Sequence, residues 1–233
     1  MKISNFRLSC LTILSLIIVV WILQSIVLKS NLEYGFRDGD WWIIRRYITL
    51  GSFSLDHIIA AFKLHGVYTY QIYYAGFLTD LYGLDFHNLY QASQFFKFLS
   101  ALAVFPLVLM ITKNKITAFL SSLIYSIAYP ASGALFMFLT GGYFIAIIFL
   151  NLFFMMYWFV LNSKQVKVWW LFCTLFIFLV TLLLNPERMY PLIPFVLIVE
   201  FLWIWRNNWS SKAVISSFKR IMILLLPLVV FYT

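Results

Sequence analysis

The stretch EYGFRDGDWWIIRRY, residues 33–47, gathers side chains suited to chemistry in a chain with only 11% charged residues. Asp38 and Asp40 flank Gly39; Arg37 comes just before them, and Arg45 and Arg46 follow. Two carboxylates at this spacing can do three things. Gly39 can turn the chain while Asp40 caps the helix that Trp41 opens, accepting backbone N–H groups. The paired oxygens can instead hold Mg²⁺ or Mn²⁺, or one carboxylate can act as a general base toward an incoming hydroxyl or amine. The arginines fit phosphate, because a planar guanidinium donates two hydrogen bonds at once.

Other groups of the same kind collect nearby. Residues 29–91 hold Glu33, Asp38, Asp40, Asp56, Asp80 and Asp85, six of the eight acids, and all three histidines, His57, His65 and His87. VYTYQIYYAGF, with Tyr68, Tyr70, Tyr73 and Tyr74, reads as an aromatic belt at a membrane boundary or as rings that stack on a sugar. His65 reads as a hydrogen-bonded interfacial histidine or a substrate contact. In NPERMY, Glu187 and Arg188 form either a solvated pair at a turn or a phosphate contact.

The elements that must position these groups follow from composition. Of 233 residues, 64% are hydrophobic and 21% aromatic, and mean hydropathy is +0.93. A soluble domain carries roughly 25% charged residues, and a spanning helix needs about 20 apolar ones. The expectation is an all-α polytopic membrane bundle forming a single domain, 1–233. Its seven spans fall near 8–28, 92–112, 116–137, 143–161, 168–184, 189–205 and 221–233. The basic start before the first span invites a signal-peptide reading, but the apolar core is long and no small-residue cleavage site follows, so it reads as a retained anchor. The last run ends without a flanking anchor and reads as the front part of something longer.

The net charge of +9 follows the positive-inside pattern and implies no nucleic-acid partner. Lys2, Arg7, Lys113, Lys115, Lys164, Lys167, Arg206, Lys212, Lys219 and Arg220 share one side if the chain weaves, placing the N-terminus in the cytoplasm and the protein in a plasma (inner) membrane. Residues 29–91 then lie outside as an outer loop of amphipathic surface helices. Leu55, Ile58, Ile59 and Phe62 mark one helical face, WWIIRRYI a second short helix, and Asp85 caps a third that runs into the second span. Glu200, inside an apolar run, is expected to reach toward Arg206. Cys10 and Cys173 both fall within spans and suggest neither a disulfide nor a metal site.

An acidic motif soon after the first span, then surface helices, a histidine-bearing stretch and the run into the second span, resembles the GT-C superfamily of membrane glycosyltransferases. The similarity is greatest to its protein-mannosyltransferase-like and lipid-linked-sugar-transferase branch. RDGDWWIIRRYITLG stands where that branch has its acidic opening, and LHGVYTYQIYYAGFLTDLYG where it has its second element. The pair here is Asp-Gly-Asp rather than adjacent Asp-Glu, and Gly66 and Val67 follow His65 in place of prolines. The resemblance implies inverting transfer of a sugar from a polyprenyl-phosphate carrier to an acceptor. Asp38 would be the base and Asp40 its partner or a metal ligand, with Arg37, Arg45, His65, Tyr68, Glu187 and Arg188 around the substrate. Two other readings stand beside it: a transporter or flippase for a lipid or polar solute, and a non-catalytic truncated membrane protein.

Overall fold

The computed structural model describes residues 3–28, 41, 44, 45, 48, 69–128, 141–163, 168–184 and 191–232. Among these residues the regular elements are all helices: α1 (Ile3–Leu28), α2 (Thr69–Tyr82), α3 (Phe86–Thr112), α4 (Lys115–Ile127), α5 (Gly141–Asn162), α6 (Val168–Leu184), α7 (Leu192–Arg206) and α8 (Ser211–Tyr232). They fall into two compact units, Met1–Asn151 and Leu152–Thr233, with the division inside α5.

Local chemistry sets the helix ends. Asp85 sits in extended backbone and its carboxylate accepts from the backbone N–H groups of His87 and Asn88, so α3 starts where an N-cap aspartate places it. At the other end Lys113 adopts the left-handed conformation, φ 58°, and its N–H returns to the Leu109 carbonyl at 2.9 Å. Asn114 then caps α4 through Ile116 N–H and Thr117 N–H. Two residues thus close one helix and open the next, and α4 folds back along α3. Pro106 lies inside α3 without ending it.

In the first unit, Leu16 and Val20 of α1 pack with Phe98, Ala101 and Phe105 of α3 and Ala118 of α4. The two alanines let backbones approach, and Ser122 Oγ donates to the Ala101 carbonyl across the gap. A second cluster joins Ile44 to Tyr74, Ala75 and Leu78 of α2 and Leu89 of α3. Trp41, Ile44, Arg45 and Ile48 are all helical, as WWIIRRYI suggested; Ile44 is buried and the other three are exposed. The helix expected around Leu55–Phe62 lies outside the described residues.

In the second unit, Phe153 meets Phe178 of α6 with ring centroids 5.2 Å apart. Phe154 meets Phe195 of α7 at 5.3 Å, edge to face, and Phe159 meets Trp170 of α6 at 5.1 Å. The helix expected at 221–233 begins instead at Ser211. Lys212, Lys219 and Arg220, expected in a connecting loop, therefore ride on α8 itself, and nothing between Ser211 and Arg220 breaks a helix.

Among the described residues two helices, α3 and α5, are long and apolar enough to cross a membrane; apolar stretches in α1, α4 and α6 are shorter. On α1 and α7 large apolar side chains face outward while a polar one is buried. Leu11, Leu14, Ile18 and Trp21 of α1 are exposed while Gln24 is fully buried. On α7, Phe195, Ile198, Phe201 and Leu202 are exposed and Glu200 is fully buried.

Gly141, the first residue of α5, fits a closed space. A Cβ there would strike Tyr74 Oη and come within 2.5 Å of Ser93 Oγ and 2.7 Å of Ser93 Cβ. Ser93 is fixed on α3, so only part of the clash can be relieved by side-chain movement. We expect Gly141→Ala to destabilise the protein by about 1–3 kcal/mol, the usual cost of overpacking a filled core. An unchanged thermal midpoint in detergent would contradict the close approach.

Candidate functional site

The residues on which the chemistry was expected fall almost entirely outside the described part of the chain. Asp38 and Asp40, Arg37, His65, Tyr68, Glu187 and Arg188 all lie there. Arg45 is described; it is helical and exposed, one position beyond the buried Ile44. Among the described residues no group of three or more His, Cys, Asp or Glu side chains is placed to hold a metal ion.

The first unit contains a cleft of about 600 Å³ between the later part of α1, α2 and the start of α3. Trp21, Phe77, Leu81 and Phe95 give it apolar walls, while Asn88 and Gln91 bring amides. Two of these amides are held by neighbours. Asn88 Nδ2 donates to the Asp85 carboxylate at 2.8 Å, and Gln91 Nε2 lies 2.7 Å from His87 Nε2. Asp85 and His87, singled out in the sequence as a cap and an ionisable group, therefore brace the rim of the cleft.

The tyrosine-rich stretch divides between two environments. Tyr74 points inward, its hydroxyl 2.8 Å from Ser93 Oγ. Burial pushes its phenol above the ordinary range, and the Ser93 hydrogen bond opposes this only in part. This tyrosine is a core residue and not a sugar platform. Tyr73 is half-buried, and desolvation raises its phenol too.

Behind the cleft lie polar groups whose importance was not evident from the sequence. Gln24 Nε2 donates to the Gln94 carbonyl at 2.7 Å, crossing from α1 to α3, while its Oε1 has no hydrogen-bond partner among the described residues. One helical turn beyond Gln94, Lys97 is fully buried and its Nζ likewise makes no hydrogen bond among those residues. A lone glutamine in the apolar run VVWILQSIV was the available signal for Gln24.

The second unit has a different centre. Arg220 on α8 grips Glu200 on α7 with two hydrogen bonds, Nε to Oε1 at 2.7 Å and Nη2 to Oε2 at 2.6 Å. Tyr157 of α5 donates to Glu200 Oε1 at 2.8 Å. The guanidinium carbon also lies 4.2 Å from the centroid of the Trp203 ring, whose Nε1 donates to the Leu161 carbonyl. Arg206 was the partner expected for Glu200, but Arg220 takes that place because α8 starts early and brings position 220 inward. Comparison with protein-family models, curated proteins and solved structures yields no match to this chain.

A bidentate pair withdrawn from water depends on both members. Glu200→Leu or Arg220→Met alone should each cost about 3–5 kcal/mol, whereas the two together should recover most of that loss. Unfolding midpoints of the four proteins in detergent form the cycle; additive losses would show that the two residues act independently.

Proposed function

We propose that this chain is a multi-pass membrane protein whose helices weave through the bilayer, with residues 29–91 on the outer face. The inverted polarity of α1 and α7 supports this reading: large apolar side chains face outward, and a glutamine and a glutamate face inward. In water such a surface would drive association, whereas in lipid it is the expected one. The weave makes about seven spans, with the basic residues of the second unit at the cytoplasmic side of an inner membrane.

Within that frame, the function we infer is glycosyl transfer from a polyprenyl-phosphate donor at the outer face, as the GT-C resemblance implies. The observation that carries it is where the first cleft lies. Its walls come from α2 and the start of α3, the end of the same segment that bears Asp38 and Asp40. Aromatic and aliphatic walls match an isoprenoid chain, and the amides at the rim match sugar hydroxyls.

In this reading Asp38 takes the acceptor hydroxyl proton as the acceptor oxygen bonds to the anomeric carbon. The bond from that carbon to the carrier phosphate breaks, with inversion. The departing phosphate, a dianion, is stabilised by Arg37, Arg45 or Arg188. Asp40 orients Asp38, and the two carboxylates are the oxygen donors that Mg²⁺ or Mn²⁺ would take. His65, Tyr68 and Glu187 complete the substrate contacts.

One observation favours a second reading, a transporter or flippase for a lipid or polar solute. Lys97 and Glu200 are both fully buried within helices, and ionisable groups so placed commonly mark transport pathways.

The two readings separate on Asp38→Asn. For a transferase, loss of the base should lower transfer in membrane vesicles by at least about 100-fold, with expression and insertion unchanged. Full transfer in the mutant removes the assignment of Asp38. Solute uptake that depends on Lys97 and ignores Asp38 would establish the transporter in its place.

A further inference from the structure

The second unit holds a cleft of about 630 Å³ where the end of α5, the end of α7 and the first turns of α8 meet. Arg206 and Lys219 both line it and both are exposed. The ion pair recorded among the described residues is Glu200–Arg220, so the one carboxylate close by is already committed. Among the described residues, the cleft thus presents two positive charges that no acid lining it offsets. Arg206 alone would be unremarkable, since a cation in a last turn complements the helix dipole. Lys219 lies well inside α8 and has no such role.

Apart from Ser216, the neutral donor side chains lining the cleft already donate to backbone carbonyls. Asn162 Nδ2 donates to the Trp158 carbonyl, Ser163 Oγ to the Phe159 carbonyl, and Asn207 Nδ2 to the Trp203 carbonyl. Trp203 Nε1 donates to the Leu161 carbonyl. An anion entering the cleft therefore finds its charged donors on Arg206 and Lys219, with the Ser216 hydroxyl in the same lining.

The surroundings indicate where such an anion comes from. Arg206 directly follows the apolar run FLWIW, in which Phe201, Leu202 and Trp205 are exposed. The two cations consequently sit where an outward apolar helix face ends. This is the level at which a bilayer gives way from acyl chains to phosphates.

We propose that this cleft binds the phosphate of an anionic phospholipid headgroup, with Arg206 and Lys219 as its two charged donors. The proposal rests on the bilayer reading above but is independent of glycosyl transfer. Arg206 forks onto the phosphate oxygens, Lys219 neutralises from the opposite helix, and the acyl chains run along the exposed face of α7. Arg220, held by Glu200 and stacked on Trp203, is the fixed wall beside them.

The test uses the full chain purified in detergent and offered phosphatidylglycerol or phosphatidylcholine, with retained lipid counted by native mass spectrometry. The wild type should retain phosphatidylglycerol preferentially. Arg206→Gln with Lys219→Gln should weaken that retention about thirtyfold, at roughly fivefold (about 1 kcal/mol) from each juxtamembrane cation, and leave the unfolding midpoint in place. Arg206→Lys with Lys219→Arg, which preserves both charges, should keep the preference. Equal retention of phosphatidylglycerol by wild type and the double glutamine variant overturns the proposal. So does stabilisation by inorganic phosphate with no lipid preference, which would make this a soluble-anion site. Release of the chain from native membranes by alkaline carbonate would instead defeat the bilayer reading itself, an outcome distinct from an embedded chain without lipid selectivity.

Discussion

Helices with apolar outer faces leave a polar side chain one favourable place, the seam between neighbours, and there it must find a partner. A buried polar group without one costs on the order of 1–3 kcal/mol, and this constraint organises both units. Gln24 reaches the Gln94 carbonyl, Tyr74 meets Ser93, and Ser100 meets Tyr125 at 3.2 Å. In the second unit Tyr157 and Arg220 converge on Glu200, and Trp203 reaches a carbonyl of α5. Apolar packing fills the seams, but it is nearly as favourable at one rotation of a helix as at another when every face is greasy. The hydrogen bonds select the rotation.

Lys97 departs from that pattern. It is fully buried on α3 with no hydrogen bond to its ammonium among the described residues, close in sequence to Gln94, which lines the first cleft. A site that keeps a cation uncompensated gives up stability that an apolar residue would have supplied. In the second unit the same chemistry is resolved, because Glu200 and Arg220 satisfy each other.

Much of this architecture was readable from local chemistry. Asp85 announced the start of α3, and the Lys-Asn-Lys turn announced the reversal into α4, because caps depend on a few adjacent residues. Long uncharged runs announced α1, α5 and α6 for the same reason. What the sequence hid was rotational. Where Leu, Ile and Phe occupy all sides of a helix, no periodicity marks the inward face. Hence Glu200 was matched with Arg206, its neighbour along the chain, rather than with Arg220 across the seam. The last span is expected at 221–233, after the basic residues, whereas the helix that carries it already starts at Ser211 and includes Lys212, Lys219 and Arg220. The acidic pair at 38 and 40 was conspicuous in the sequence, but it lies beyond the described residues, so its geometry rests on the chain's pattern alone.

The link between α7 and α8 has a mechanical consequence. Asn208 and Trp209 both adopt left-handed backbone, φ 52° and 53°, a conformation costing about 1–2 kcal/mol per residue. Their N–H groups are tied back to Trp205 and Ile204. Glu200 on α7 and Arg220 on α8 lie on either side of this bend, so its length acts as a gauge for the clasp between them. One extra residue between Ser211 and Arg220 on α8 would turn Arg220 about the helix axis by about 100°, carrying its guanidinium away from Glu200. Relatives of this chain should therefore tolerate many substitutions from the bend to Arg220 but few changes in the length of that stretch.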